Sequence, residues 1–456
     1  MNNTKLQGII EALLNESQSY GYDGAEIMVT SQKDFEASVF EGDIDEYSIS
    51  ESSGLSFRGI KNGVIGYAYT ENISDTSSEL LLKEAMDNLE AIDSKDQEFI
   101  FENKEKLSYQ EINQFNETYE NVSNEEKIEL LKKMEKEAYA YDHRVSTVNH
   151  CIFGDGNQLL KIKNTYGLDL EEKSNGFFLY FSVGVKSEDD IQSGYSIFFG
   201  NDYEKVDYKA VVHEAVDKAV SLLGAEPIKS NNYPVIIENK TFASLLKAYG
   251  SIFSAEAVQK GLSLLKGQLN QIVANSDLTI IDHPHLDNKM ASRSFDSEGV
   301  PTQVKKIVEK GELRTFLHNL KTANKAKVES TGNAIRYSYK SSVGIAPSNL
   351  YIEAGSQTIK DMVKSIKMGL YIVSLEGMHA GINPVSGDFS LAAKGFLIED
   401  GKKMKPVNQI TVSGNFLKVL QEIEMIGNDL EFGLPSGASI YGAPSIKVGN
   451  LTISGN

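Results

Sequence analysis

Three shortages stand out in this 456-residue chain: it has one cysteine, no tryptophan, and no proline before position 227. Cys151 alone excludes an internal disulfide and any cluster of thiolates for a metal, and it sits in a strand-like run, RVSTVNHCIF. Uninterrupted apolar stretches are short, far below the roughly 18 residues a membrane helix requires, so no membrane partner is expected. The first residues, MNNTKLQGIIEALLNESQSYGYDGAE, lack a basic segment followed by an apolar core. They read as an amphipathic helix over about 5–19, with Ile9, Ile10, Leu13 and Leu14 on one side. A cytoplasmic location is the expectation. A P-loop lysine and a G-x-S-x-G elbow are also missing, so neither nucleotide chemistry nor serine hydrolysis is signalled.

Basic residues are scarce in the first half. Residues 1–226 carry 44 acidic against 20 basic side chains, whereas residues 227–456 carry 20 against 25, and the whole chain is at −19. All nine prolines fall in the second part. Two composition shifts at one point predict two domains, 1–226 and 227–456, for a chain too long for one ordinary core. An acidic half of this size repels a phosphate backbone, so no nucleic-acid partner is expected.

The first half reads as two copies of one pattern. Copy one runs from the helix near 5–19 through AEIMVT, DFEASVF, DEYSIS, GLSFRGI and GVIGYAYT to a helix over 77–92. Copy two runs from a helix over 124–141 through RVSTVNHCIF, QLLKIKNT, LDLEEKS, GFFLYFSVGV and GYSIFFG to a helix over 208–223. Period-two alternation marks sheets with one face covered, and a polar bridge at 95–123 joins the copies. The second half opens on a strand at 233–238 and a helix expected over 241–261. Short β-branched runs follow, and EKGEL and IEDGK carry hairpin-turn chemistry. The fold class is therefore α+β: an N-terminal domain of two helix–strands–helix units and a β-rich, mostly antiparallel C-terminal domain.

Several motifs resemble sites, and each has a structural alternative. His213-Glu214 in VVHEAVDKAV lacks a second histidine at metal spacing, since Asp217 and Lys218 follow. His283-Pro284-His285 could chelate from a strand, although its proline suggests a turn. His318 and His379 are lone histidines that could line a pocket. Asp296 and Glu298, in FDSEG, would share a face if extended and could form an acid/base pair or, with His283 and His285, a cation site. Capping of loop amides by these carboxylates carries more weight.

The segments LLGAEPIKSNNYPVIIE (222–238), FDSEGVPTQ (295–303), LRTFLHNLKTANK (313–325), STGNA (330–334), GINPVSGDFSLAAKGFLIEDGK (381–402) and GAPSIKVGNLTISGN (442–456) together resemble the TldD/PmbA family. Its members are peptidase-like proteins also labelled modulators of DNA gyrase. The resemblance implies an N-terminal α/β domain, a β-rich C-terminal domain and a dimer with an enclosed cleft. Metal-bearing members carry a helix of roughly H-E-A-x-G-H and a late cysteine that completes a zinc site. On that pattern this chain offers Ala255, Glu256, Ala257, Val258, Gln259 and Lys260, and no cysteine follows Cys151. A cation at a former ligand position repels a divalent ion. The resemblance thus points to the PmbA (TldE) branch, with no metal on this chain and zinc in a metal-bearing TldD-like partner. Such pairs trim leader peptides and degrade unfolded polypeptides. The alternative is a homodimer that binds peptide without hydrolysis. Candidate cleft residues are Asp296, Glu298, His318, Asn319 and His379, and Ala255, Glu256 and Lys260 mark the altered metal motif.

Overall fold

The computed structural model describes residues 3–92 and 96–456; position 95, where the polar bridge was expected to begin, lies outside the described residues. The first half contains helices α1 (Asn3–Glu16), α2 (Ser77–Glu90), α3 (Asn124–Tyr141) and α4 (Tyr208–Ser221). Its strands are β1 (Gly24–Phe40), β2 (Asp43–Lys61), β3 (Val64–Thr70), β4 (Val145–Asn164), β5 (Asp169–Ser187) and β6 (Asp190–Gly200). The sequence locates α3 well because Ser123 and Glu126 close a reciprocal capping box at its start.

The six strands form one antiparallel sheet in the order β3-β2-β1-β4-β5-β6. The two copies meet where β1 pairs with β4, Gln32 lying opposite Gln158. One correction concerns strand length. AEIMVT and DFEASVF are halves of a single strand, as are DEYSIS with GLSFRGI, RVSTVNHCIF with QLLKIKNT, and LDLEEKS with GFFLYFSVGV. The polar residues that interrupt β1 sit where one helix layer gives way to the other. Ile27 and Val29 pack in the core of α1 and α2, while Phe35, Ala37 and Val39 join that of α3 and α4. Each copy also uses a strand glycine to seat its closing helix. A Cβ on Gly66 would lie 1.9 Å from the Ala85 carbonyl oxygen of α2, and one on Gly194 would lie 2.3 Å from that of Ala215 in α4.

In the second half, β7 (Asn231–Ile237) and the strands 368–376, 388–399, 402–415 and 446–454 are hydrogen-bonded into a ring, closed by the pairing of Thr411–Ser413 with Thr452–Ser454. A second six-stranded sheet includes Ile280–Asp282, Lys305–Glu309 and Asn349–Ile352. Pairing is mostly antiparallel, and the expected hairpins are present. Lys310-Gly311 and Asp400-Gly401 each have two consecutive positive φ angles, at 48° and 80° and at 47° and 73°, the backbone of a type I′ turn.

The helix expected over 241–261 is not continuous. It divides into α5 (Asn239–Tyr249), a 3₁₀ turn at Gly250–Phe253 and α6 (Ala255–Gln259). Between them the chain is pinned to a neighbouring segment, Leu317 donating its N–H to Phe253 and accepting that of Ala255, each at 2.9 Å. Gly250 also lies against the Tyr441 ring, where a Cβ would collide. These tertiary contacts override the helical periodicity of the sequence.

Candidate functional site

The face of the N-terminal sheet opposite the helices looks toward the second half of the chain. Between them lies a cleft of about 500 Å³, lined by β1, β4 and β5 on one side and by segments 290–297, 335–339 and 435–440 on the other. The helix Leu320–Ala326 (α7) and α6 pack against each other outside this lining, with Gln259 donating to the Thr322 carbonyl at 2.9 Å. Gly156 and Gly176 face each other across β4 and β5 in the cleft, where the Asp34 carboxylate packs over Gly156 and Met290 over Gly176.

Beside the cleft is a buried charge network that joins the two halves. Glu26 of β1 and Arg58 of β2 are cross-strand partners, and the Arg58 Nη1 donates to Glu26 Oε1 at 2.9 Å. Arg58 Nη2 is 3.8 Å from Glu298, and Arg336 Nη1 is 3.6 Å from Glu26. Arg336 also donates to the Ser56 and Tyr67 hydroxyls. All four charged side chains are buried. Burial opposes the charge of Arg58, but Glu26 and Glu298 more than offset it, so its pKa is raised.

Asp296 and Glu298 do not share an extended face. They sit in a turn, where Asp296 accepts the amides of Glu298, Val300 and Ala334 at 2.9–3.0 Å. Glu298 accepts the Leu320 amide at 2.9 Å. Capping of loop amides, the weightier reading, describes both residues. Burial pushes both carboxyls upward. A carboxyl that holds its proton more tightly when folded adds stability that is full below the ordinary value of about 4 and is lost as pH rises above it. Glu298→Gln is therefore expected to flatten part of the decline in thermal midpoint between about pH 4 and about pH 8, the value to which burial raises this carboxyl. A variant with the parent slope would show that Glu298 does not titrate in that window.

The other candidates are dispersed. Asn319 caps α7, its Oδ1 accepting the Thr322 amide at 2.9 Å. His318 is buried beside it, with Nδ1 lacking a hydrogen-bond partner, and burial lowers its pKa. His379 is exposed in the turn Met378–Gly381. Of the five expected cleft residues, Asp296 lines the cleft between the two halves. His283 and His285 are held with rings at 89°; His283 Nδ1 accepts the His285 amide and His285 Nε2 bonds Thr302. His213 bonds Glu137 at 2.8 Å and stacks on Tyr141, and buried Cys151 donates to the Leu131 carbonyl, burial raising its thiol pKa.

The α6 helix does not suit zinc. Ala255 is buried without a donor atom, and Lys260 Nζ lies 2.6 Å from Glu256 Oε1 in an exposed i,i+4 ion pair. Among the described residues no three His, Cys, Asp or Glu side chains are grouped to hold a metal ion. Sequence reading missed Glu26, Arg58, Arg293 and Arg336. The available signal was a charged residue inside an apolar run, as in AEIMV and LSFRGI.

The chain matches three family domains in order: PmbA/TldA metallopeptidase domain 1 at residues 25–92, the central domain at 117–223 and the C-terminal domain at 230–455. It is 28% identical over 489 residues to a protein named metalloprotease TldD homolog from Buchnera aphidicola, covering 98% of this chain and 99% of that one. A metalloprotease PmbA homolog from Haemophilus influenzae is 27% identical, over 72% and 69%. Among solved structures, a candidate modulator of a DNA gyrase from Thermotoga maritima is 33% identical, covers 98% of this chain and 100% of that one, and has a TM-score of 0.90. TldE from Thermococcus kodakarensis shares the fold at a TM-score of 0.88, with 24% identity and coverage of 98% and 100%. The three domain matches and the full-length likeness to the Thermotoga protein agree, and the chain belongs to the PmbA/TldD family.

Proposed function

We propose that this chain is a metal-free, cytoplasmic subunit of a PmbA/TldD-type peptidase, pairing with a metal-bearing homologue and walling a cleft for extended polypeptide. One observation supports the metal-free reading above others: Glu256 is engaged by Lys260 at 2.6 Å, and Ala255 brings no ligand atom. Lowering the pKa of water from about 15.7 to about 7 is a metal's contribution, so a carboxylate alone leaves water a poor nucleophile. Relatives named metalloproteases support peptide hydrolysis as the activity of the pair.

The test is peptidase activity on an unstructured peptide, with metal content read on the same sample, for this chain alone and mixed with a metal-bearing homologue. Activity and zinc are expected in the mixture and not in the chain alone. Within the mixture Glu256→Gln should keep turnover within about twofold. A large loss with the dimer assembled would sink the idea that α6 is catalytically silent, and zinc-dependent cleavage by the chain alone would overturn the proposal. Peptide binding without hydrolysis in either sample would instead establish a binding homodimer.

A further inference from the structure

The cleft is short of hydrogen-bond acceptors in one consistent sense. Three of its lining residues, from three separate segments, have a buried side-chain nitrogen with no hydrogen-bond partner: Arg293 Nε, Gln114 Nε2 and Arg336 Nη1, the last 3.6 Å from Glu26. The lining residues show no matching excess of unpartnered carboxylate oxygens among the described residues. Unmet donors buried together are costly, and a ligand rich in acceptor oxygens would relieve them.

Arg293 is the strongest of the three. It is 9% exposed, and its guanidinium meets neutral acceptors only: the carbonyls of Pro347 at 3.1 Å and of Ala346 and Ala438 at 3.5 Å. The charges that face it from farther away are Asp282, Asp296 and Glu172. Two of these are already spent. Asp282 takes the Ser348 amide, Asn333 and Lys305, and Asp296 takes three backbone amides. Glu172, on β5, accepts the Ser294 amide at 3.3 Å and lines the cleft, as do Asp34, Asp155 and Asp296; of these four, Glu172 and Asp296 face Arg293. Both Nη atoms meet these carbonyls, so Nε is the donor left over for a carboxylate oxygen.

We propose that Arg293 forms a carboxylate subsite in the interdomain cleft, with Gln114 and Arg336 beside it, and that it receives a carboxylate of the bound polypeptide. This rests on the polypeptide reading of the cleft. The carboxylate has two possible sources, the free C-terminus and an Asp or Glu side chain.

Binding of three otherwise identical unstructured peptides to the full chain separates them: acid-free with a free C-terminus, acid-free with an amidated C-terminus, and amidated with one internal glutamate. One of the two carboxylate-bearing peptides is expected to bind at least about tenfold more tightly than the amidated acid-free one. Which one does so identifies the source. Arg293→Gln should abolish that preference and leave the amidated acid-free peptide unchanged, whereas Glu172→Gln should strengthen the preference by removing the opposing charge. The Glu172 variant keeps the proposal testable if the Arg293 variant fails to fold. Equal binding of all three peptides would overturn the subsite and leave the polypeptide reading intact. If no peptide binds, that reading falls. A thermal shift by millimolar glutarate, present in the parent and lost in Arg293→Gln, would then still uphold the carboxylate site, and no shift would end it.

Discussion

Replacing Arg58 with methionine is expected to cost the fold about 3–5 kcal/mol, read as a lower urea midpoint. Arg58 is the hydrogen-bonded cation of Glu26 at 2.9 Å and lies 3.8 Å from Glu298, with all three side chains buried. Its removal would leave Glu26 with Arg336 at 3.6 Å, beyond good hydrogen-bond length, and would leave Glu298 with its backbone bond alone. The loss would come from stranding charge away from water rather than from forfeiting an attractive pair. The double variant Glu26→Leu with Arg58→Met should therefore recover only a small part of it, because the buried Arg336 then loses its carboxylate. A single variant within about 0.5 kcal/mol of the parent would show that water reaches the network and that it does not hold the two halves together.

Alanine at Gly66 or Gly194 should destabilise by about 1–3 kcal/mol each, the range for forcing atoms into a filled core. At Gly194 the new methyl would lie 2.3 Å from the Ala215 carbonyl and 2.6 Å from the Ala219 nitrogen, both backbone atoms that cannot rotate away. At Gly66 the clash with the Ala85 carbonyl is closer still, at 1.9 Å. Gly8, in α1, has no heavy atom within 4 Å of its would-be Cβ. There alanine should instead stabilise by about 0.5–1 kcal/mol, because the helix no longer carries glycine's backbone entropy. Thermal midpoints of the three variants check both signs. A neutral result at both Gly66 and Gly194 would mean that α2 and α4 can slide on the sheet at no cost.

The paired behaviour of Gly66 and Gly194 also shows what the repeat consists of. GYAY and GYSI were legible as equivalent segments ahead of a helix, and the structure gives the reason: each strand needs a position without a side chain where the helix backbone touches it. The charged residues are a different case. Glu26 and Arg58 each look misplaced in an apolar run, and they make sense once the β1–β2 register sets them opposite each other. Asp296 and Glu298 were legible as a pair, but their turn geometry sends the carboxylates to different partners.

The sequence by itself determined the features that depend on near neighbours. These are the capping box of α3, the Lys310-Gly311 and Asp400-Gly401 turns, and the acidic first half. Capping and turn conformation are set within a few residues, so a linear reading suffices for them. The tertiary structure alone decided that four short runs and their neighbours fuse into long strands, that the helix near Gly250 breaks, and that Arg293, Arg336 and Gln114 line one cleft. Those outcomes depend on which distant segment lies alongside: Leu317 against Phe253, or Glu26 against Arg336. Burial turns such meetings into strong interactions, because a charge or an amide removed from water must find its partner wherever the fold supplies one.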